Sequence, residues 1–416
     1  MWKNWSGSQT SAAAMANPGT VAQLQSLVRG ASGVLRPVGA GHSFTPLVTG
    51  SSQILRLDQL ERPTVISSRP GRARVNANAR LHELSAALGD KGQAFRNLGD
   101  INVQTLAGAM STATHGTGRD MPCIAAEMTS AQLLTGSGDV IEIRGEDLPG
   151  VQVSLGLLGI LLEIELNTVP AFNLRRRVGV RSFEQLLGQM HNNWTEHRCY
   201  EFFLLPHSGK GVQISHDVTE AAPGKSPLDL DALGLQVMKI ASALRRVHPA
   251  LQRQALALMM VLQGEEDYVG ESWRVLSSSR EMRFNEMEYH LPPGAAEAVL
   301  REINSLVETR HPEVWFPIEV RQTAGDSAWL SPFQGGPRVS VAVHMHGGQN
   351  YAGFFRDCES IFRAAGGRPH WGKLHGLKRQ DLEALYPDLG KFDELRARLD
   401  PKDLFLSPAL AGLFRP

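Results

Sequence analysis

Apolar and polar positions fall into two textures along the chain. Over the first 170 residues, short period-two runs alternate with short helical patterns. Val34 to Gly39 and Gln53 to Leu57 read as strands, the first running into a glycine loop, and Arg74 to Asn78 alternates in the same way. Thr20 to Arg29 has helical spacing with Thr20 or Asn17 near its cap, and Leu81 to Gly89 is a helix ending on glycine. Met128 to Leu134 and Val140 to Arg144 are strands around a Thr-Gly-Ser-Gly-Asp turn. Leu161 to Val169 is a further strand, stopped by Pro170.

Beyond Pro170 the pattern becomes mixed. Phe183 to Trp194, Leu228 to Arg246 and Ala295 to Val307 read as helices. Glu201 to Pro206, Val212 to His216, Glu286 to Leu291 and Val339 to His346 read as strands, and Ala221 to Asp229 as a surface loop. This predicts an α+β fold in which a second domain roofs the first. A length of 416 residues also favours two domains over one core.

Composition narrows the function. Lys+Arg and Asp+Glu both number 42, so the formal charge is zero, which argues against a nucleic-acid partner and for a small, weakly charged substrate. Cys123, Cys199 and Cys358 are far apart and form no CxxC pair, so a disulfide framework is not expected and a reducing compartment fits. Met1 to Ala16 lacks an apolar run of signal-peptide length, and the apolar run Ala255 to Leu262 is too short to span a bilayer. The expected location is the cytoplasm, without membrane attachment. Oligomeric state has no signature in the sequence.

The common phosphate and metal motifs are missing. No GxGxxG follows a strand, so a Rossmann unit is not supported. Gly224-Lys225-Ser226 resembles the tail of a P-loop, but Thr219 stands where its first glycine belongs. No HExxH or paired cysteines suggest zinc, and His344 with His346 reads as two inward-facing histidines ahead of a metal pair. No metal is expected. Two glycine-histidine loops stand out instead. The first is Val38-Gly39-Ala40-Gly41-His42-Ser43-Phe44. The second runs from Leu98-Gly99-Asp100-Ile101 through Ala107-Gly108-Ala109 and Ser111-Thr112 to Thr114-His115-Gly116-Thr117-Gly118. Such loops let successive backbone N–H groups approach a pyrophosphate. Two tight turns around a capped histidine are the competing reading.

Together these loops resemble the FAD-binding domain of the vanillyl-alcohol oxidase family, and Ser154-Leu155-Gly156 with Gly159 resembles the end of that domain. Pro317-Ile318-Glu319-Val320-Arg321, Trp329-Leu330-Ser331-Pro332 and Gly367-Arg368-Pro369-His370-Trp371-Gly372-Lys373-Leu374-His375 resemble its sugar-lactone oxidase branch, with alditol oxidases close by. The resemblance implies a two-subdomain FAD-binding domain over residues 1–170. It implies a cap domain with a large antiparallel sheet over 171–375, and a segment 376–416 returning to the FAD domain. It implies FAD bonded through its 8α-methyl to His42. Further cofactor contacts would come from Val38, Gly39, Ala40, Gly41, Ser43, Gly99, Asp100, Gly108, Ser111, Thr112, Thr114, His115, Gly116, Ser154, Gly159 and His370.

The resemblance further implies hydride transfer from an aldono-1,4-lactone to the flavin, with O2 as acceptor. Gly99 would leave the flavin face open to oxygen, and Asp100 stands where serine is expected. Glu319 and Arg321, two apart on a strand, share one face. As a surface ion pair they would contribute little. In the family reading they bind substrate over the flavin, with Lys373 beside them. His346 would accept the hydroxyl proton, Glu288 would support the site, and Tyr200, Glu201 and Phe202 would line it. An alditol oxidase and a lactone dehydrogenase using another acceptor are the alternatives.

Overall fold

The computed structural model describes residues 1–225, 231–244, 248, 251–252, 254–256, 265–277 and 282–415. The first module is built on two main sheets, with two-stranded ribbons Trp2–Lys3/Thr10–Ser11 and Gln93–Ala94/Val169–Pro170 beside them. In the smaller, Gln53–Arg56 lies between Ala14–Ala16 and Leu35–Val38, all parallel. Helix Val21–Arg29 packs beside it, burying Leu24 and Val28 against Leu35 and Leu55. Its start is fixed by a capping box: Thr20 accepts from the Gln23 N–H, and Gln23 reaches back to the Thr20 N–H. The larger sheet is antiparallel, ordered Val140–Ile143, Met128–Leu134, Ile160–Asn167, Arg72–Asn76, Val65–Arg69. The short helix Leu106–Ser111 starts at Thr105, whose hydroxyl accepts from the Gly108 N–H, and it brings the second glycine loop under the first.

The second module is one eight-stranded antiparallel sheet. Its order is Glu266–Glu271, Asn173–Ser182, Lys210–Thr219, Cys199–Leu205, Ile318–Thr323, Arg338–His346, Phe284–Leu291, Arg368–Pro369. Helices Phe183–Glu196, Ala296–Thr309 and Ala352–Ala364 cover one face through a core that includes Trp194, Phe202, Tyr289, Ile303 and Phe362. The other face looks toward the first module. Because strand side chains alternate, register alone puts Glu201 opposite Arg321, Glu319 opposite Ala342, and Glu288 next across from Ala342 on that face. Helices Arg379–Leu385, Leu389–Leu399 and Pro408–Phe414 pack into the core of the first module through Leu382, Phe392, Leu395 and Phe414.

Most expected elements form within a residue or two of their predicted ends. The helix expected over 228–246 is present as Asp231–Leu244, with 226–230 and 245–247 outside the described residues. Of the apolar run 255–262, Ala255 and Leu256 are described and helical, and the remainder lies outside the described residues. No helix among the described residues is long and apolar enough to cross a membrane. All three cysteines are buried and free.

Candidate active site

Two cavities adjoin, a larger one between the modules and a smaller one within the first. The smaller, of about 120 Å3, is walled by Val38 to Ser43, Gly108, Ser111, Thr112 and Gly159. The larger, of about 260 Å3, is walled by His42, Ser43, Gly99, Asp100, Thr112, Thr114 and His115 on one side. The sheet supplies Glu201, Glu286, Glu288, Glu319 and Arg321 on the other, and His370 and Lys373 complete the wall. His42, Ser43, Gln104 and Thr112 border both. Of the residues the sequence singled out, Gly116, Ser154, Tyr200, Phe202 and His346 border neither; Tyr200 and Phe202, flanking Glu201, alternate to the opposite face of the sheet and are buried in the core under the helices. His346 packs beside the Trp315 ring, while His344 on the same strand reaches the cavity and bonds the Pro317 carbonyl at 2.8 Å.

The smaller cavity is built to receive an anion. The N–H groups of Ala40, Gly41, His42 and Ser43 donate to no group among the described residues. Gly41 sits at φ +71°, a conformation side-chain-bearing residues rarely adopt, and a Cβ on Gly39 would come 2.3 Å from the Thr105 hydroxyl. Arg36 fixes the far wall by donating to the carbonyls of Leu155, Gly156 and Phe405. Free N–H groups in such a loop fit a diphosphate, so the residues present fit FAD.

His42 stacks on Trp5 at 5.4 Å between ring centroids. Burial, with Lys373 and Arg80 adding to it, lowers its pKa to about 4, so the imidazole is neutral near pH 7. Phe44 is tied to the cap module by donating its N–H to the Gly372 carbonyl, and Lys373 lies over the Phe44 ring at 5.2 Å.

On the sheet, Arg321 donates to Glu319 at 2.6 Å and stands 3.9 Å from Glu201. Burial weakens a lone guanidinium's hold on its proton, but Glu319, Glu288 and Glu201 reverse this and raise the Arg321 pKa. Glu319 Oε1 and Arg321 Nε are buried with no hydrogen-bond partner among the described residues. Such atoms are costly unless a ligand satisfies them.

Lys373 is paired with Glu286 and lies 4.0 Å from Glu288. Burial would raise the Glu286 pKa, but Lys373 and His344 overcome it and hold it at about 2. Glu288 accepts from His115 at 2.9 Å, and His115, Arg321 and His370 together keep it well below the usual range against the burial effect. Two trios, His115 with Glu288 and His290 and Glu286 with Glu319 and His344, bring possible ligand atoms within 4.8 Å. In the second, Lys373 and Arg321 already neutralise the carboxylates, which makes it an ion-pair network. His216 and Arg176 also border the cavity and were not singled out by the sequence. Their signal was the alternation that carries every second residue of their strands inward.

A free-amide cradle beside a carboxylate-and-cation cavity on an antiparallel sheet defines a flavin-dependent oxidoreductase of two-module build. Residues 12–144 match the FAD binding domain family, and residues 164–412 match D-arabinono-1,4-lactone oxidase. The chain belongs to the D-arabinono-1,4-lactone oxidase family, within the vanillyl-alcohol oxidase type of flavoprotein. It is 31% identical to the L-gulono-1,4-lactone dehydrogenase of Mycobacterium tuberculosis, over 98% of this chain and 97% of that one. It is 25% identical to the L-gulonolactone oxidase of Bos taurus, over 95% and 92%. The solved structure of cholesterol oxidase from B. sterolicum shares the fold, with TM-score 0.80 at 16% identity, over 99% of this chain and 96% of that one.

Proposed function

We propose that the chain oxidises an aldono-1,4-lactone at the carbinol beside its carbonyl, with FAD attached to His42 and O2 as the final acceptor. The observation that carries this reading is that His42, Glu319, Arg321 and Lys373, distant in sequence, border one cavity. Bound FAD supplies the two-electron acceptor. The neutral His42 imidazole has the lone pair that a bond to the flavin methyl needs. Ala40 to Ser43 hold the diphosphate through their N–H groups. Arg321 Nε faces the substrate oxygens, binding and orienting the lactone. Glu319 Oε1 accepts from a substrate hydroxyl, which fixes the face presented to the cofactor. Lys373, held by Glu286, contributes positive charge where negative charge develops. Val178, Phe203, Val212 and Ile214 border the same cavity and limit water around the reacting carbon.

O2 as acceptor rests on Gly99, which borders the cavity. A Cβ built there meets the His115 carbonyl and the Thr114 methyl at 3.0 Å, so a side chain at 99 would push on that wall. The test is a panel of L-gulono-, L-galactono- and D-arabinono-1,4-lactones with xylitol and sorbitol, scored by oxygen uptake and by dye reduction. Lactone-dependent oxygen uptake with peroxide formation supports the reading. Turnover with dye but not oxygen would make the enzyme a dehydrogenase, and turnover with alditols alone would refute the substrate class.

A further inference from the structure

Arg321 serves two carboxylates unequally. Glu319 takes its terminal N–H at 2.6 Å, whereas Glu201, directly opposite Arg321 on the neighbouring strand, stands 3.9 Å from Nε, beyond hydrogen-bond reach. The Glu201 side chain is also the more open, 17% exposed against 6% for Glu319. The other two carboxylates of the sheet that border the cavity are taken, Glu286 by Lys373 and Glu288 by His115. The charged and titratable groups around Glu201 are Glu319 and Arg321 on Ile318–Thr323, Arg176 on Asn173–Ser182, His216 on Lys210–Thr219 and Asp100 from the first module. Glu201 is thus a cavity-facing carboxylate with no short bond to a cation.

Building on the lactone-oxidising reading above, we propose that Glu201 is the base that accepts the substrate hydroxyl proton. The balance is simple. The carbinol C–H bond breaks and its electron pair leaves as hydride, for which FAD is the oxidant. The O–H bond breaks and its proton passes to a Glu201 carboxylate oxygen. The carbon and oxygen are left as C=O, and the proton returns to water through the cavity. Electrostatics agree with the geometry. Burial and then Glu319 raise the Glu201 pKa to about 7 against the pull of Arg321, a value matched to proton transfer near neutrality. Burial lowers His216 and His370 to about 3, so both have little affinity for a proton. His346, the base expected from sequence, does not border the cavity.

The experiment compares the FAD-loaded wild type with Glu201→Gln and Glu201→Asp. Two quantities are read: anaerobic flavin reduction from about pH 5.5 to 9, and the carboxyl C=O infrared band of substrate-free enzyme. In the wild type the rate should rise with pH through a midpoint about 7, and a band should titrate over the same range. Glu201→Gln should lack that band and reduce flavin at least about 100-fold more slowly, with the pH dependence flattened. Glu201→Asp should keep a larger share of the rate. A Glu201→Gln rate close to wild type with an unchanged profile would overturn the proposal. So would the absence of any band titrating near neutrality. If no lactone reduces the wild type but an alditol does, the lactone reading fails on its own. The alditol then serves in the rate comparison, and the infrared result judges Glu201 independently.

Discussion

Replacing Arg321 with methionine removes the cation nearest Glu201 and Glu319. At 3.9 Å, with an effective dielectric of about 20, the attraction between Arg321 and Glu201 is roughly 4 kcal/mol. That corresponds to about three decades in proton affinity. A Glu201 carboxyl held at about 7 would therefore move well upward. The sign is fixed: losing a cation favours the protonated acid, so the form able to accept a proton becomes scarce at neutral pH. The midpoint of flavin reduction against pH should move upward with the infrared carboxyl band. Arg321→Lys, which keeps the charge, should return much of the shift. The rate in Arg321→Met will fall for other reasons too, so the midpoint is the readout and not the rate. Removing one partner of a buried pair also costs about 3–5 kcal/mol, so a lowered melting temperature should accompany the change. A midpoint still near 7 in Arg321→Met would refute the electrostatic reasoning.

Three further outcomes follow from the same geometry. Glu288→Ala leaves His115 without its 2.9 Å partner at a site 1–2% exposed, so the variant should lose about 3–5 kcal/mol in denaturant unfolding, and a loss below about 1 would contradict the pairing. The depressed pKa of Glu286, about 2 against 4.5, means its pairing contributes roughly 3 kcal/mol that is present above about pH 4.5 and lost as pH falls through 2. Glu286→Gln should therefore flatten the acid-stability curve in that window, checked by tryptophan fluorescence. Gly39→Ala should lower the flavin-to-protein absorbance ratio, because its methyl would collide with the Thr105 hydroxyl under the anion cradle, while the cap sheet stays folded by circular dichroism.

The sequence revealed the site's chemistry better than its full membership. Glu319 and Arg321 stand out through the resemblance carried by Pro317 to Arg321, and their two-residue spacing on a strand adds that both share one face; the glycine loops stand out by their density of small residues, which alone leaves tight turns as a competing reading. The strand Asn173–Ser182 was not legible, since its run of arginines hides the alternation. Across the ladder Arg175 meets Asp267 at 2.8 Å and Arg176 meets Glu266 at 2.6 Å, and such pairing is invisible without the partner strand. Arg176 is hidden with it, whereas His216 lies on the strand read over Val212 to His216 and carries no motif that marks it. Glu201 was placed in the pocket wall by resemblance, but its role depends on sharing Arg321 with Glu319, a relation set by strand order. The resemblance alone assigns His346 the proton-accepting role, while the sequence pattern treats His344 and His346 alike. The strand carries both on one face, but the cavity ends at His344, and His346 lies beyond it beside Trp315.

FAD held by His42 is central to the proposed chemistry, and one measurement tests it: the intact mass of the acid-precipitated protein. The mass should exceed the chain by one FAD, the yellow colour should stay with the pellet, and His42→Ala should lose both. Flavin released to the supernatant would remove the covalent role of His42. A colourless protein at the mass of the bare chain, unchanged after reconstitution with FAD, would contradict the account at its centre.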